Sequence, residues 1–80
     1  MLKIDNKLVE FFLKNIGKNI DQQSINLLEK GIIDSIDIMN FIFEVETYFK
    51  RPFDMTLVNK ENFYSIDTIT NTLKKNYYES

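Results

Sequence analysis

The fold is decided by the stretch GIIDSIDIMNFIFEVETYF, residues 31–49. Asp34 belongs to the residue types that cap helix N-termini well, and Ser35 suits a first helical turn. Pro52 disfavours helix at the residue before it, so this helix should end near Lys50. Its apolar residues at helical spacing predict a buried face made of Ile38, Phe41, Ile42, Val45 and Phe49.

Two further helices are predicted on either side of this stretch. The first should end at Gly17, a common C-terminal stop, and the last should begin after Ser65 as its N-cap. Apolar spacing assigns Ile4, Leu8, Val9, Phe12, Leu13 and Ile16 to the first helix, and Ile66, Ile69, Leu73 and Tyr77 to the last. A short helical turn is expected at 59–64, and Ile25, Leu27 and Leu28 should pin the loop before the second helix to the core. We therefore predict an all-α fold, an irregular four-helix bundle with three longer helices, one short helix and a long loop after helix one.

Length and composition exclude several classes of protein. A chain of 80 residues forms one domain, residues 1–80. Without cysteine or histidine it lacks the usual zinc ligands and nucleophile–base pairs. The net charge of −2, with scattered basic residues, argues against nucleic-acid binding. No apolar run approaches the roughly 20 residues of a membrane-spanning helix, and no signal-peptide pattern is present, so we expect a cytoplasmic location.

The side of the second helix opposite its buried face is unusually apolar. It carries Ile36, Met39, Asn40, Phe43 and Thr47. Asp37 and Glu44 flank this side on one edge, and Glu46 lies on the other. An exposed apolar ridge with an acidic border suits the docking of basic partners, because charge steers the encounter and the ridge supplies burial. The alternative is a helix that is buried on both sides, for example beneath the long loop.

Ser35 has two interpretations. The simple one is a serine in the first turn of a helix, which needs no function. The other is a serine that a separate enzyme modifies, because a phosphate ester here would lie at the positive end of the helix dipole. The chain has no histidine to activate the hydroxyl, so Ser35 is not expected to be a catalytic nucleophile.

The segment Gly31-Ile32-Ile33-Asp34-Ser35-Ile36-Asp37, followed by an amphipathic helix ending in Tyr48-Phe49, resembles the phosphopantetheine attachment region of acyl carrier proteins. The later segment 61–69 is similar to the junction between the third and fourth helices of that family. The resemblance covers roughly residues 27–75, and the first helix matches in pattern only.

The resemblance implies a function and a role for each matching residue. Ser35 would receive 4′-phosphopantetheine from coenzyme A, and Asp34 would help the transferase and its magnesium ion to engage the site. Ile36 and Phe43 match exposed apolar docking positions, and Asp37 and Glu46 match acidic recognition positions. The helix pattern adds Met39 and Glu44 to the partner-docking residues.

The implied activity is that of a carrier, not of an enzyme. The chain would hold an acyl or aminoacyl group as a thioester and present it to partner enzymes. The expected partners are a phosphopantetheinyl transferase, an acyl- or aminoacyl-activating ligase, and a downstream acyltransferase or synthase. The carrier itself is expected to be a monomer with no metal site.

Two departures from the family narrow this expectation. Asn40 and Thr47 stand where many fatty-acid carriers have acidic residues. The Gly-Ile-Ile-Asp-Ser form is also closer to D-alanyl, aminoacyl and specialised stand-alone carriers. We therefore expect a specialised carrier rather than a typical fatty-acid carrier.

Three other functions remain as alternatives. A helical interaction module without a prosthetic group would use the second-helix ridge to bind a partner. A DNA-binding helical domain would need basic residues on one helix, where this chain has acids. A metal-dependent enzyme would need an all-carboxylate site, and Asp34, Asp37, Glu44 and Glu46 do not converge on one helix face.

Overall fold

The computed structural model describes residues 3–78, which leaves the first two and last two residues of the predicted domain outside the described range. Helix α1 spans Asn6–Asn15, α2 spans Ser35–Phe49, and α3 spans Ile66–Tyr78. A short 3₁₀ helix spans Met55–Leu57. The described residues contain no strand, so the predicted all-helical class is confirmed.

The segment between α2 and α3 differs from the prediction in detail. At residues 59–64, where a short helical turn is predicted, the chain makes a single turn. A hydrogen bond from the Phe63 N–H to the Asn59 carbonyl, 3.1 Å long, closes it. The 3₁₀ helix lies earlier, where the Asp54 carboxylate accepts a hydrogen bond from the Thr56 N–H at 3.0 Å. The Asp-x-Thr pattern favours such a local turn, which the apolar spacing alone does not reveal.

Both ends of α1 are set by short-range hydrogen bonds. The Asp5 carboxylate caps the helix by accepting from the Leu8 N–H at 2.9 Å. Beyond the other end, Gly17 has a φ of +82°, a conformation that side-chain-bearing residues rarely adopt. The N–H groups of Gly17 and Lys18 donate back into the last turn at 3.0 and 2.9 Å, which forms a Schellman motif. The predicted stop at Gly17 is confirmed.

The core is built around the ring of Phe12. This ring meets Phe41 edge-on at 5.9 Å between centroids and Tyr48 at 5.2 Å, and Phe41 in turn meets Phe63 at 6.0 Å. The predicted inner face of α2 is buried, except that Phe49 is only half-buried. The complete buried apolar set is Ile4, Val9, Phe12, Leu13, Leu27, Ile33, Ile38, Phe41, Ile42, Val45, Phe53, Phe63, Ile66, Ile69, Leu73 and Tyr77.

Helix α1 packs against both α2 and α3. Its contacts with α2 run in opposite order along the two helices. Phe12 meets Tyr48, near the end of α2, whereas Lys18, just beyond α1, pairs with Asp37 in the first turn of α2. The two helices are therefore antiparallel, and the end of α1 lies beside the start of α2.

The long loop between α1 and α2 is fastened at Leu27. This side chain is fully buried, its N–H donates to the Tyr64 carbonyl at 3.2 Å, and its carbonyl accepts from the Ile32 N–H at 2.9 Å. Leu28 packs partly buried against the core, as predicted. The prediction that Ile25 pins the loop is wrong, because its side chain is 42% exposed.

Replacing Phe12 with alanine should lower the free energy of unfolding by about 3–5 kcal/mol, because a fully buried ring is lost and a cavity remains. Phe11→Ala is the matched control, since the neighbouring ring is 52% exposed and Phe12 is 1% exposed. The control should cost only about 1 kcal/mol, because roughly half of that ring is removed from solvent. Urea unfolding followed by circular dichroism measures both, and equal losses would contradict the central position of Phe12.

Candidate functional site

Ser35 is the first residue of α2, and its side chain is exposed. The helix begins there because Asp34, the residue before it, has extended backbone and acts as the N-cap. The first N–H groups of a helix have no intrahelical acceptor and carry the positive end of the helix dipole. The Ser35 hydroxyl therefore lies at a positively polarised helix end that is open to solvent.

Asp34 and Asp37 form a reciprocal capping box around this serine. The Asp34 carboxylate accepts from the Asp37 N–H at 2.9 Å, and the Asp37 carboxylate accepts from the Asp34 N–H at 3.0 Å. These bonds give both aspartates a capping role, whereas the sequence predicts capping only for Asp34 and a favourable charge near the helix dipole for Asp37. The box does not use the Ser35 side chain, so capping alone does not account for a serine at this position.

Lys18 ties the end of α1 to this capping box. Its ammonium lies 3.0 Å from the Asp37 carboxylate. Partial burial would raise the pKa of Asp37, but the Asp34 N–H and the Lys18 ammonium outweigh it and hold that pKa below its ordinary value of 3.8. Asp37 is thus ionised at neutral pH and stabilises the start of α2 in that form.

The chain enters Ser35 from a well-fixed turn. Gly31 has a φ of +71°, and the N–H groups of Gly31 and Ile32 donate back into the preceding turn at 3.1 and 2.9 Å. This is a second Schellman motif, and its left-handed position favours glycine. Ile33 follows and is buried in the core. The backbone is therefore held on both sides of the short connection that leads to Ser35.

The apolar side of α2 faces solvent. Ile36 is 69% exposed, Met39 is 59% exposed and Phe43 is 68% exposed. These three residues are called the docking ridge here. Their exposure excludes the alternative in which α2 is buried on both sides, whereas their role in docking remains a prediction. A contiguous group of large exposed apolar side chains is uncommon on a monomer and is typical of interaction surfaces.

The two glutamates beside the docking ridge have partners within the chain. Glu44 accepts a hydrogen bond from the side-chain amide of Asn15 on α1 at 2.9 Å, and Glu46 accepts from the Phe53 N–H at 2.8 Å. These structural roles were not predicted from the sequence, which assigned both glutamates to partner recognition. Each is bonded through one oxygen, so the other oxygen remains for a partner, and partner recognition stays a prediction for both.

An exposed aromatic residue on α1 was not among the predicted site residues. Phe11 is 52% exposed, and Lys7 and Lys14 lie four residues before it and three residues after it on the same helix face. The sequence does indicate that Phe11 is exposed, because it lies outside the apolar spacing that predicts the buried face of α1. This indication was not used because single exposed apolar residues are common.

Residues 3–78 contain no group of three or more His, Cys, Asp or Glu side chains placed to hold a metal ion. No helix in that part of the chain has both the length and the apolar character needed to cross a membrane. Comparison of the chain with protein-family models, curated proteins and solved structures gave no match. With no similar protein as a guide, the function is inferred from the geometry around Ser35.

Asp34→Ala should lower the free energy of unfolding by about 1 kcal/mol, because the N-cap of α2 is lost. Asp34→Asn should lower the free energy of unfolding by only about 0.3 kcal/mol, since asparagine caps helices as well as aspartate does. Urea unfolding of the two variants measures the difference. An equal loss in both would show that the charge of Asp34, and not its hydrogen bond, holds the helix end.

Asp37 should make the fold sensitive to acid. Because its folded pKa lies below the unfolded value of 3.8, its stabilisation is present above that value and disappears as the pH falls through the folded pKa. Asp37→Asn should therefore be less stable than the parent chain at neutral pH. Its Tm should also fall less than that of the parent when the pH is lowered from about 5 to about 2. Thermal unfolding across this range is the measurement, and parallel curves would contradict the role of Asp37.

Proposed function

We propose that this chain is a carrier domain resembling the acyl carrier family, in which Ser35 bears 4′-phosphopantetheine and presents an acyl or aminoacyl group to partner enzymes. One observation carries the proposal. Ser35 places an exposed hydroxyl at the start of α2, outside the hydrogen bonds of the capping box and directly before the docking ridge. On this proposal the chain is not an enzyme, because the partner enzymes supply the catalytic groups.

The surroundings of Ser35 suit a phosphodiester. The N–H groups of Ser35 and Ile36 have no intrahelical acceptor, and the helix dipole favours an anion there. Asp34 and Asp37 add negative charge nearby. Hydrogen bonds from each other's N–H groups and the Lys18 ammonium partly offset that charge. When bound, the arm supplies a thiol that holds the cargo as a thioester, a group that this cysteine-free chain otherwise lacks.

The docking ridge explains how a carrier of this size can serve several enzymes. Ile36, Met39 and Phe43 offer apolar contact, while Glu44 and Glu46 place carboxylates at its edges. Long-range attraction speeds the encounter with a basic partner, and a small contact area lets the carrier leave after each step. This combination matches the need for fast and reversible binding.

The proposed partners are a phosphopantetheinyl transferase, an acyl- or aminoacyl-activating ligase, and a downstream acyltransferase or synthase in the cytoplasm. Asp34 would assist the transferase and its magnesium ion, in addition to capping α2. Asn40 and Thr47, both exposed, make the face less acidic than in fatty-acid carriers, which favours a specialised or aminoacyl cargo. The segment 54–64 would take the place of the short helix in a four-helix carrier bundle.

A helical interaction module without a prosthetic group is the second candidate. The capping box supports it, because hydrogen bonding alone gives a reason for Asp34 and Asp37. The docking ridge could then bind one partner directly. The two candidates differ in the role of Ser35, which the carrier needs and the module does not.

Incubation with coenzyme A, magnesium and a broad-specificity phosphopantetheinyl transferase should add one phosphopantetheinyl group to Ser35 Oγ, with release of adenosine 3′,5′-bisphosphate. Intact mass spectrometry detects the product. Ser35→Ala should gain nothing, and Ser24→Ala, in the loop after α1, is the matched control that should still be modified. Failure of the parent chain, with the transferase active on a control carrier, would favour the interaction module.

The variant Asp34→Asn extends the same assay. It keeps the helix cap, so slower modification at unchanged stability would assign the Asp34 carboxylate to the transferase reaction. Modification at the parental rate would leave Asp34 with capping as its only role.

A further inference from the structure

The outer face of α1 carries two exposed lysines, with the partly buried Glu10 between them, and one large exposed ring. Phe11 is 52% exposed and lies between Lys7 and Lys14 on this face. Both lysines are exposed, and neither takes part in an ion pair within residues 3–78. This face has the opposite charge to the ridge side of α2, where the border residues are carboxylates.

The outer faces of α1 and α2 form one continuous surface, because the two helices lie side by side. The hydrogen bond between Asn15 and Glu44, 2.9 Å long, crosses the groove between the two helices. It fixes the position of one helix along the axis of the other. Lys14, next to Asn15 in the chain, therefore lies at the level of Glu44 and Phe43. We call this surface the α1–α2 face, with Phe11 and Lys14 on one helix and Ile36, Phe43 and Glu44 on the other.

We propose that the α1–α2 face is the docking surface for a second copy of this chain. A two-fold axis parallel to the helices places α1 of each copy on α2 of the other. This rotation leaves the position of every residue along the helix axis unchanged. Lys14 of each copy then lies opposite Glu44 and Phe43 of the other, and Phe11 covers the segment one turn farther along α2. A two-fold axis across the helices would instead place α1 on α1, with lysines facing lysines.

The charges indicate a weak and reversible dimer. Two symmetric Lys14–Glu44 pairs attract, and Phe11 adds apolar contact one turn farther along the opposite α2. Lys7 approaches Lys50 at the end of that helix, and this pair repels. An interface of two short helix faces is at the small end of specific contacts, so we expect weak association. This proposed dimer differs from the monomer expected from the sequence, and the experiment below decides between them. It covers part of the docking ridge, so partner enzymes would compete with self-association.

Sedimentation equilibrium of the full chain over a range of concentrations, in low salt and in about 0.5 M salt, tests the proposal. The chain should dimerise in low salt and dissociate in high salt. Lys14→Glu and Glu44→Lys should each weaken association at least about fivefold, and the double variant should restore it to within about twofold. Lys75→Glu, on α3, changes the net charge by the same amount and should have no effect.

A chain that stays monomeric at about 1 mM in low salt would overturn the proposal. So would a dimer that neither charge reversal weakens, or one that the double variant fails to restore. Circular dichroism of each variant shows whether the fold is intact. Ser35→Ala should dimerise like the parent chain, so the outcome is independent of whether Ser35 carries a prosthetic group.

Discussion

The edge-on packing of Phe12 against Phe41 and Tyr48 fixes where α2 lies, and most other features follow from that position. Phe41 continues the contact to Phe63, so one series of rings joins α1, α2 and the segment before α3. A domain of this size has few alternative sources of core stability. Once the Phe41 side of α2 faces this series, the helical period turns Ile36 outward. The exposed ridge is therefore a geometric consequence of the core.

The start of α2 is held more firmly than a helix end requires. Leu27 and Ile33 are buried on the incoming loop, the capping box closes the helix terminus, and Lys18 links the box to the end of α1. These restraints come from different parts of the chain, so loss of one leaves the others in place. Their shared result is a fixed position for Ser35. Such a fixed position suits a residue that another enzyme must reach and modify.

The parts of this structure that the sequence predicted depend on local signals. The start of α2, its buried face and the stop at Gly17 follow from helical spacing and from residues that cap helices. Some features that escaped prediction, such as the 3₁₀ helix at Asp54, are local, but others depend on residues that are distant in the chain. The pairing of Glu44 with Asn15, for example, spans 29 positions and exists only once α1 and α2 are antiparallel. Likewise, the exposure of Ile25 reflects where the loop crosses the core, which no short pattern encodes.

The double use of the carboxylates connects the fold to the proposed functions. Glu44 is bonded within the chain through one oxygen, which restricts its side chain before any partner arrives. A side chain that is already ordered loses less conformational entropy on binding, so its charge contributes more to docking than that of a free glutamate. The same restriction fixes Glu44 at the height of Lys14. A carboxylate that first serves the α1–α2 packing is thus placed to serve either a basic partner enzyme or a second copy of the chain.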